Sequence, residues 1–285
     1  MDSDSLPEAL PLNNGTGAKL RPGITGVVLT HNGERLLDKC LSSLSFCTEI
    51  LAVDSGSTDG TLAICERHNA RVIYRPWDGF DVQFRFAHGL VATRWFFILD
   101  QDEICPPRLG EYIAQAIQES DLLADTPQDT PVAYSVGRKS WYFDRFMAHG
   151  GWYPDHILRV FRTGFVEFYQ DAHIHYRPMG RREHIDGVPD AEIIHYPYTG
   201  FYHQMTKLNN YAEQGAEALR AEGKKGGVLR GIGHGLARFC RIYFIKFGFL
   251  DGKAGFLAAC HGSFYAFLKY VRVLDASWGE PFDKG

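Results

Sequence analysis

The 285-residue chain has no CxxC pair, and its six cysteines (Cys40, Cys47, Cys65, Cys105, Cys240 and Cys260) are scattered. That spacing argues against a zinc site and a disulfide framework, and it fits a reducing compartment. No uninterrupted apolar run reaches the length of a membrane-spanning helix. Positive charge is not in excess: a net charge of −4 gives no electrostatic case for nucleic acid as a partner. The Gly-x-Gly-x-x-Gly fingerprint and the Gly-x-Ser-x-Gly elbow are both missing, which counts against a nicotinamide dehydrogenase and that class of serine hydrolase. The nearest approach to a Walker A loop, GFLDGKA at 248–254, is one residue short between its glycines and carries Ala where a hydroxyl should hold magnesium. The opening MDSDSLPEALPLNNGTG has acids but neither a basic n-region nor an apolar h-region. It is expected to be a flexible polar leader over residues 1–22 and not a secretory signal.

What is present is a regular alternation. An apolar content of 45% is ample for a core. Strands are expected at 24–30 (ITGVVLT), 50–53, 71–74 and 94–99. Helices are expected at 33–45, from about Asp59 with Thr58 or Asp59 as N-cap, at 82–92, and from Pro106-Pro107. The order β-α-β-α-β-α-β-α defines an α/β fold with a mainly parallel central sheet. Beyond residue 121 come a polar loop at 121–130 and shorter strands at 131–136, 157–161, 165–168, 174–176 and 193–196. After Pro197 the pattern turns helical, with helices at 201–219, 229–247 and 253–273. The expected division is a leader at 1–22, an α/β domain at 23–198 and a C-terminal helical region at 199–285.

Three strand ends fall on one sheet edge: Thr30-His31-Asn32, the loop from Asp54 to Gly60 (DSGSTDG), and Asp100-Gln101-Asp102-Glu103. In open α/β sheets ligands bind at the carboxyl ends of the strands. The second loop is rich in glycine and small hydroxyl residues, so backbone can approach a ligand closely, and it opens a helix whose amino end favours anions. Read as extended chain, Asp100 and Asp102 point the same way, roughly 6.5–7 Å apart. Such a pair suits a hydrated divalent cation carrying a polyanion. Glu103 reads as a helix-start or supporting residue.

These strand ends resemble the inverting family 2 glycosyltransferases of GT-A type, and within them the bacterial lipopolysaccharide-core β-1,4-glucosyltransferases. The matching stretches are VVLTHNGE, EILAVDSGSTDGT, WDGFDVQ and FILDQDE, with GGWYPDHILRVFR, HYPYTGFYHQMTKLNNYAEQGA and FIKFGFLDGKAGF narrowing the subgroup. The resemblance implies that Thr30, Asn32 and Glu34 line the base and ribose pocket. It implies that Asp54 contacts the base while Ser57 and Asp59 shape the loop. Gln83 flanks the pocket, Asp100 holds the ribose or a metal-bound water, and Asp102 coordinates Mg²⁺ or Mn²⁺ on the diphosphate. Arg159 is implied to face the donor phosphates or the acceptor. The implied activity is transfer of a hexose from a nucleotide-diphospho-sugar, UDP-linked, to a saccharide or lipid-linked saccharide of the cell envelope.

An inverting displacement also needs a base for the acceptor hydroxyl. Related sequences place His-Glu where this chain reads His175-Tyr176, and a neutral tyrosine is a poor base at pH 7. Asp171, His173, His175 and Glu183 are the candidates to substitute, with Asp171 and His175 favoured. Gln101 between the aspartates and Phe84-Arg85 are two further departures from the pattern. Trp141, Trp152 and Tyr153 are read either as sugar-stacking or as core residues. The C-terminal helices, in which Arg230, Arg238, Arg241, Lys246, Lys253, Lys269 and Arg272 interleave with aromatic and aliphatic residues, are read either as a packed cap or as a membrane-surface patch. The expected location is cytoplasmic, peripheral at the inner face of the plasma membrane. Two other readings remain open at this stage: a sugar-phosphate nucleotidyltransferase and a catalytically inactive carbohydrate-binding homologue.

Overall fold

The computed structural model describes residues 20–122, 130–170, 174–185 and 190–275. In chain order its elements are β1 (Arg21–Thr30), α1 (Leu37–Ser43), β2 (Glu49–Asp54), α2 (Thr61–Arg67), β3 (Arg71–Tyr74), α3 (Phe80–Leu90), β4 (Thr93–Ile98), β5 (Glu103–Ile104), α4 (Pro107–Leu122), β6 (Pro131–Tyr142), β7 (Arg145–Phe146), β8 (His156–Arg162), β9 (Val166–Gln170), β10 (Ile174–Pro178), β11 (Arg181–Ile185) and β12 (Ile193–His195). Then follow α5 (Phe201–Ala221), α6 (Val228–Cys240), a π-turn (Arg241–Ile245), a 3₁₀ turn (Gly248–Asp251) and α7 (Gly252–Arg272). Residues 1–19 of the expected leader lie outside the described residues, and its last two, Arg21 and Pro22, belong to β1.

The chain folds as two compact units, one from the described residues of Met1–Gly137 with His156–Ile193 and one from those of Arg138–Asp155 with Ile194–Gly285. The first unit holds the α/β sheet. Strands β3, β2, β1 and β4 run parallel in that spatial order, β8 pairs antiparallel with β4 and β6, and β11 adds parallel to β6. The apolar run of β4 is explained by this position, because both faces of the strand are covered. Trp95, Phe97 and Leu99 enter one core with Val28, Leu41 and Ile113, while Phe96 and Ile98 enter the other with Leu51, Phe84 and Phe161. Each fully buried side chain of this size stabilises the fold by about 1.5–3 kcal/mol, so β4 is a main anchor of the sheet. Strands β9 and β10 form a separate antiparallel pair, with His175 in register with Tyr169.

In the second unit α6 packs along α7 through its glycines. A Cβ on Gly231 would lie 2.9 Å from the Phe267 carbonyl oxygen, so only a residue without one permits that approach. The expected single helix over 229–247 is interrupted: α6 ends at Cys240 and the chain continues as a π-turn, in which the Lys246 N–H reaches the Arg241 carbonyl, five residues back, at 2.8 Å. A hydrophobic pattern of helical period does not distinguish the two kinds of turn. Residues 138–155 also join the helices here: Tyr142, Met147 and Trp152 share a small core with Ala254 and Ala258, and Asp251 accepts the backbone N–H of Ala148 and His149.

Candidate active site

The parallel register sets Thr30 beside Asp54 and Val27 beside Ile98, so the ends of β1, β2 and β4 open on the same edge of the first unit. Asp54 is 2% exposed. Its Oδ1 accepts the Thr30 hydroxyl at 3.0 Å and the Ser57 hydroxyl at 2.5 Å, and its Oδ2 accepts the N–H groups of Gly56 and Ser57, both at 2.9 Å. Burial alone would favour the neutral acid, but the Ser57, Gly56 and Thr30 donors outweigh it and hold the carboxyl below its ordinary range. Those four bonds fill the acceptor capacity of the carboxylate. In this structure Asp54 therefore shapes its loop.

The first two strand ends are laced together. The N–H of Asn32, which adopts the left-handed φ of 47°, donates to Ser57 Oγ at 2.9 Å, and its Oδ1 accepts from the Thr58 N–H at 2.9 Å. The Glu34 N–H donates to Asp59 Oδ2 while Glu34 Oε2 accepts from the Gly60 N–H at 2.8 Å. Asp59 Oδ1 also accepts the Thr61 N–H at 3.0 Å. Although burial opposes it, the Thr61 and Glu34 donors hold the Asp59 carboxyl low. Helix α2 starts at Thr61 with Gly60 as its cap residue, so the expected cap, Asp59, serves its first N–H from one position further out. Gln83 on α3 is fully buried. Its Nε2 donates to Ser55 Oγ and to the carbonyls of Arg75 and Pro76, while its Oε1 is buried without a hydrogen-bond partner.

The acidic segment departs from the extended geometry expected of it. Residues 100–103 form a tight turn closed by the Glu103 N–H on the Asp100 carbonyl at 2.9 Å, and the Asp100 N–H donates back to Glu103 Oε2 at 3.1 Å. The estimate of 6.5–7 Å from strand rise does not apply to a turn. Arg159 lies on β8. Its Nη2 donates to Asp100 Oδ2 at 2.6 Å and to both oxygens of Glu103 at 2.9 and 2.8 Å. Glu103 is 0% exposed and Arg159 6%. Burial opposes the charge of Arg159, but Asp100 and Glu103 more than offset it and raise the guanidinium above its ordinary value. Asp102 stands half-buried at the third position of the turn.

Gln101, noted as a departure, has a structural use: its Oε1 accepts the His31 N–H at 3.0 Å and its Nε2 donates to the His31 carbonyl at 3.1 Å, joining the first strand end to the third. Thr61, missed in the sequence, is buried and accepts the Gly33 N–H at 2.8 Å. Glu103, read as a helix-start or supporting residue, pairs with Arg159, 56 residues away, a partner that no local pattern in the sequence reports. Tyr176 packs against Phe161, Phe84 and Phe168, and burial raises its phenol well above the ordinary range. It is no base at neutral pH. Asp171 and His173 lie outside the described residues, and Glu183 is paired with Arg181.

Among the described residues no three His, Cys, Asp or Glu side chains gather as a metal cage. Asp100 and Asp102 supply hard oxygen ligands from one turn. That set suits Mg²⁺ or Mn²⁺ held by one or two carboxylates with substrate phosphates completing the shell.

A hydrogen-bonded loop of small residues after β2 and a turn with two aspartates after β4 thus stand on one edge of the sheet. The model of the family "Glycosyl transferase family 2" matches residues 26–184, and the chain belongs to that family. It is a glycosyltransferase with an α/β, GT-A-like fold and a helical C-terminal region. A lipopolysaccharide core biosynthesis glycosyltransferase, LpsC of Rhizobium meliloti, is 28% identical over 262 residues, covering 88% of this chain and 91% of that protein. An uncharacterized glycosyltransferase of Rickettsia conorii is 26% identical, covering 89% and 90%. Among solved structures, S. aureus TarS 1–349 in complex with UDP-GlcNAc aligns at a TM-score of 0.45 with 14% identity, covering 89% of this chain and 83% of that one. The mannosyltransferase PcManGT from Pyrobaculum calidifontis, in complex with GDP-Man and Mn²⁺, aligns at 0.44 with 16% identity, covering 92% and 77%.

Proposed function

We propose that the chain transfers a hexose, with inversion, from a UDP-linked donor to a cell-envelope saccharide or glycolipid such as lipopolysaccharide core. The observation that carries this reading is the pairing on one sheet edge of the Asp54 loop, preorganised by four donors, with the Asp100–Asp102 turn fixed by Arg159. Thr30, Asn32, Glu34, Ser57 and Asp59 hold the loop that receives the base and ribose, and Gln83 Oε1 offers an unsatisfied acceptor beside it. Asp102, with Asp100 beside it, holds Mg²⁺ or Mn²⁺, which stabilises the negative charge gained by the departing diphosphate. Arg159 orients Asp100. The proton of the attacking hydroxyl goes to Asp171 or His175. The likeness to LpsC over nearly the whole of both chains supports an acceptor of the lipopolysaccharide-core class. Incubating the chain with a panel of nucleotide sugars and a deacylated core acceptor should release UDP with a UDP-hexose in the presence of Mn²⁺. Pyrophosphate formed from a sugar phosphate and UTP would instead indicate a nucleotidyltransferase.

The same reading places the protein at the cytoplasmic face of the membrane. No helix among the described residues is long and apolar enough to cross a bilayer. On α6, Leu229, Ile232 and Leu236 fall at helical spacing and are 84%, 45% and 62% exposed, with Arg230 and Arg238 beside them. Apolar side chains flanked by cations suit an anionic lipid surface. The variant Leu229→Asp/Leu236→Asp is expected to lose at least about tenfold in sedimentation with phosphatidylglycerol vesicles, since each exposed leucine removed forfeits about 1.5–3 kcal/mol of burial in lipid. Equal sedimentation of variant and wild type would reject the membrane surface.

A further inference from the structure

The second unit contains a pocket of about 540 Å³ that the donor chemistry does not use. Its wall carries Arg138, Arg238, Arg241 and Lys246 against a single carboxylate, Asp155. Asp155 is already committed: its Oδ2 lies 2.8 Å from Arg138 Nη2 and 2.9 Å from Arg138 Nε. Arg238, Arg241 and Lys246 have no ion-pair partner among the described residues, which leaves a surplus of three positive charges around one concavity. The backbone is built to keep them there. Positions five apart on an uninterrupted α-helix differ by about 140° in direction. The π-turn, with more residues per turn, reduces that offset, and Arg238, Arg241 and Lys246 all line the same pocket. A single π-turn interrupting a helix often marks a functional site. Gly151, at a φ of +83°, gives Lys246 room, since a Cβ there would lie 2.5 Å from Nζ.

The pocket also has a neutral polar and aromatic side. His261 Nε2 is buried without a hydrogen-bond partner, and burial lowers the affinity of this ring for a second proton. Trp152 and Tyr198 complete the wall, both packed against Tyr142, at ring-centroid distances of 5.2 and 5.9 Å. Cations that accept a charged oxygen group, beside aromatic faces that accept a sugar ring, describe a charged saccharide better than a bare ion.

We propose that this pocket binds a phosphate or carboxylate group borne on a saccharide. The anion site stands on its own geometry and does not depend on the transferase reading. The probe is glucose 6-phosphate, titrated calorimetrically into the full chain saturated with UDP and Mn²⁺, with glucose as the neutral control. Binding of glucose 6-phosphate is expected, with glucose at least tenfold weaker. The variant Arg241→Gln/Lys246→Gln should weaken glucose 6-phosphate at least tenfold and leave UDP binding unchanged. Gly151→Ala, which displaces Lys246 without removing a charge, should weaken it by a smaller factor, and thermal melts report whether each variant is folded. Equal affinity for the two sugars, no binding, or unchanged affinity in both variants would overturn the proposal. So would a double variant that loses only its sedimentation with phosphatidylglycerol vesicles, because the cations would then serve a lipid surface. Loss of UDP binding by the wild type would count against the transferase reading and leave the anion site standing.

Discussion

Asp102→Asn is expected to lower kcat/KM for hexose transfer by about 10³-fold or more while the melting temperature moves by only a few degrees. The change is nearly isosteric and removes one negative charge from a half-buried position in a turn held by the Glu103–Asp100 backbone bond and by Arg159 on Asp100 and Glu103. Substitutions of this kind outside the core usually alter stability by about 0.5 kcal/mol or less. On the proposed reading catalysis is far more sensitive, because Asp102 would no longer hold a divalent ion where the departing diphosphate gains charge. A single preorganised electrostatic group is worth about 3–4 kcal/mol in the transition state, and a Lewis-acid metal is worth several. The assay is steady-state release of UDP, run beside a thermal melt. Activity within tenfold of the wild type would remove Asp102 from the metal site.

Arg159→Ala is expected to act mainly on stability. It leaves Glu103, 0% exposed, as a buried carboxylate without its cation. Breaking a buried ion pair by removing one partner costs about 3–5 kcal/mol, which in a chain of this size is a fall in melting temperature of about 10 °C. Asp100 stands differently, its side chain being 37% exposed, so water compensates part of its loss. If the uncompensated charge is the cause, then Arg159→Met/Glu103→Gln should recover most of the lost stability, since neither charge remains and the glutamine oxygen still accepts the Asp100 N–H. That double variant should remain poorly active, because Asp100 has lost the group that orients it. A double variant as unstable as Arg159→Ala would place the cost in lost packing instead.

The order of elements in the α/β unit was readable because its helices and strands differ in hydrophobic period and because β4 is covered on both faces. Strand β3 has the expected bounds, and β1, β2 and β4 differ from expectation by at most three residues at an end. The strand-end residues were readable as a group for the same reason: once Thr30, Asp54 and Asp100 follow parallel strands, topology brings them to one edge. The form of the Asp100–Glu103 turn was not readable, because it depends on a guanidinium from β8, and no local pattern reports a partner 56 or 59 residues away. Strand β6 runs six residues past its expected end at Val136 because Arg138 and Ser140, which break the apolar pattern, are satisfied by Asp155 and His195. The π-turn escaped for a further reason: Arg241 to Ile245 retain helical spacing in sequence, and the extra residue per turn shows only in the hydrogen bonds.

The central claim is that Asp102 couples a divalent ion to the donor diphosphate on the edge shaped by Asp54. Calorimetric titration of UDP, with and without Mn²⁺, into the wild type and Asp102→Asn tests it most directly. Mn²⁺ is expected to tighten UDP binding to the wild type by at least tenfold and to leave the variant almost unchanged. Equal affinity for UDP with and without Mn²⁺ in the wild type, or an undiminished Mn²⁺ effect in the variant, would contradict it.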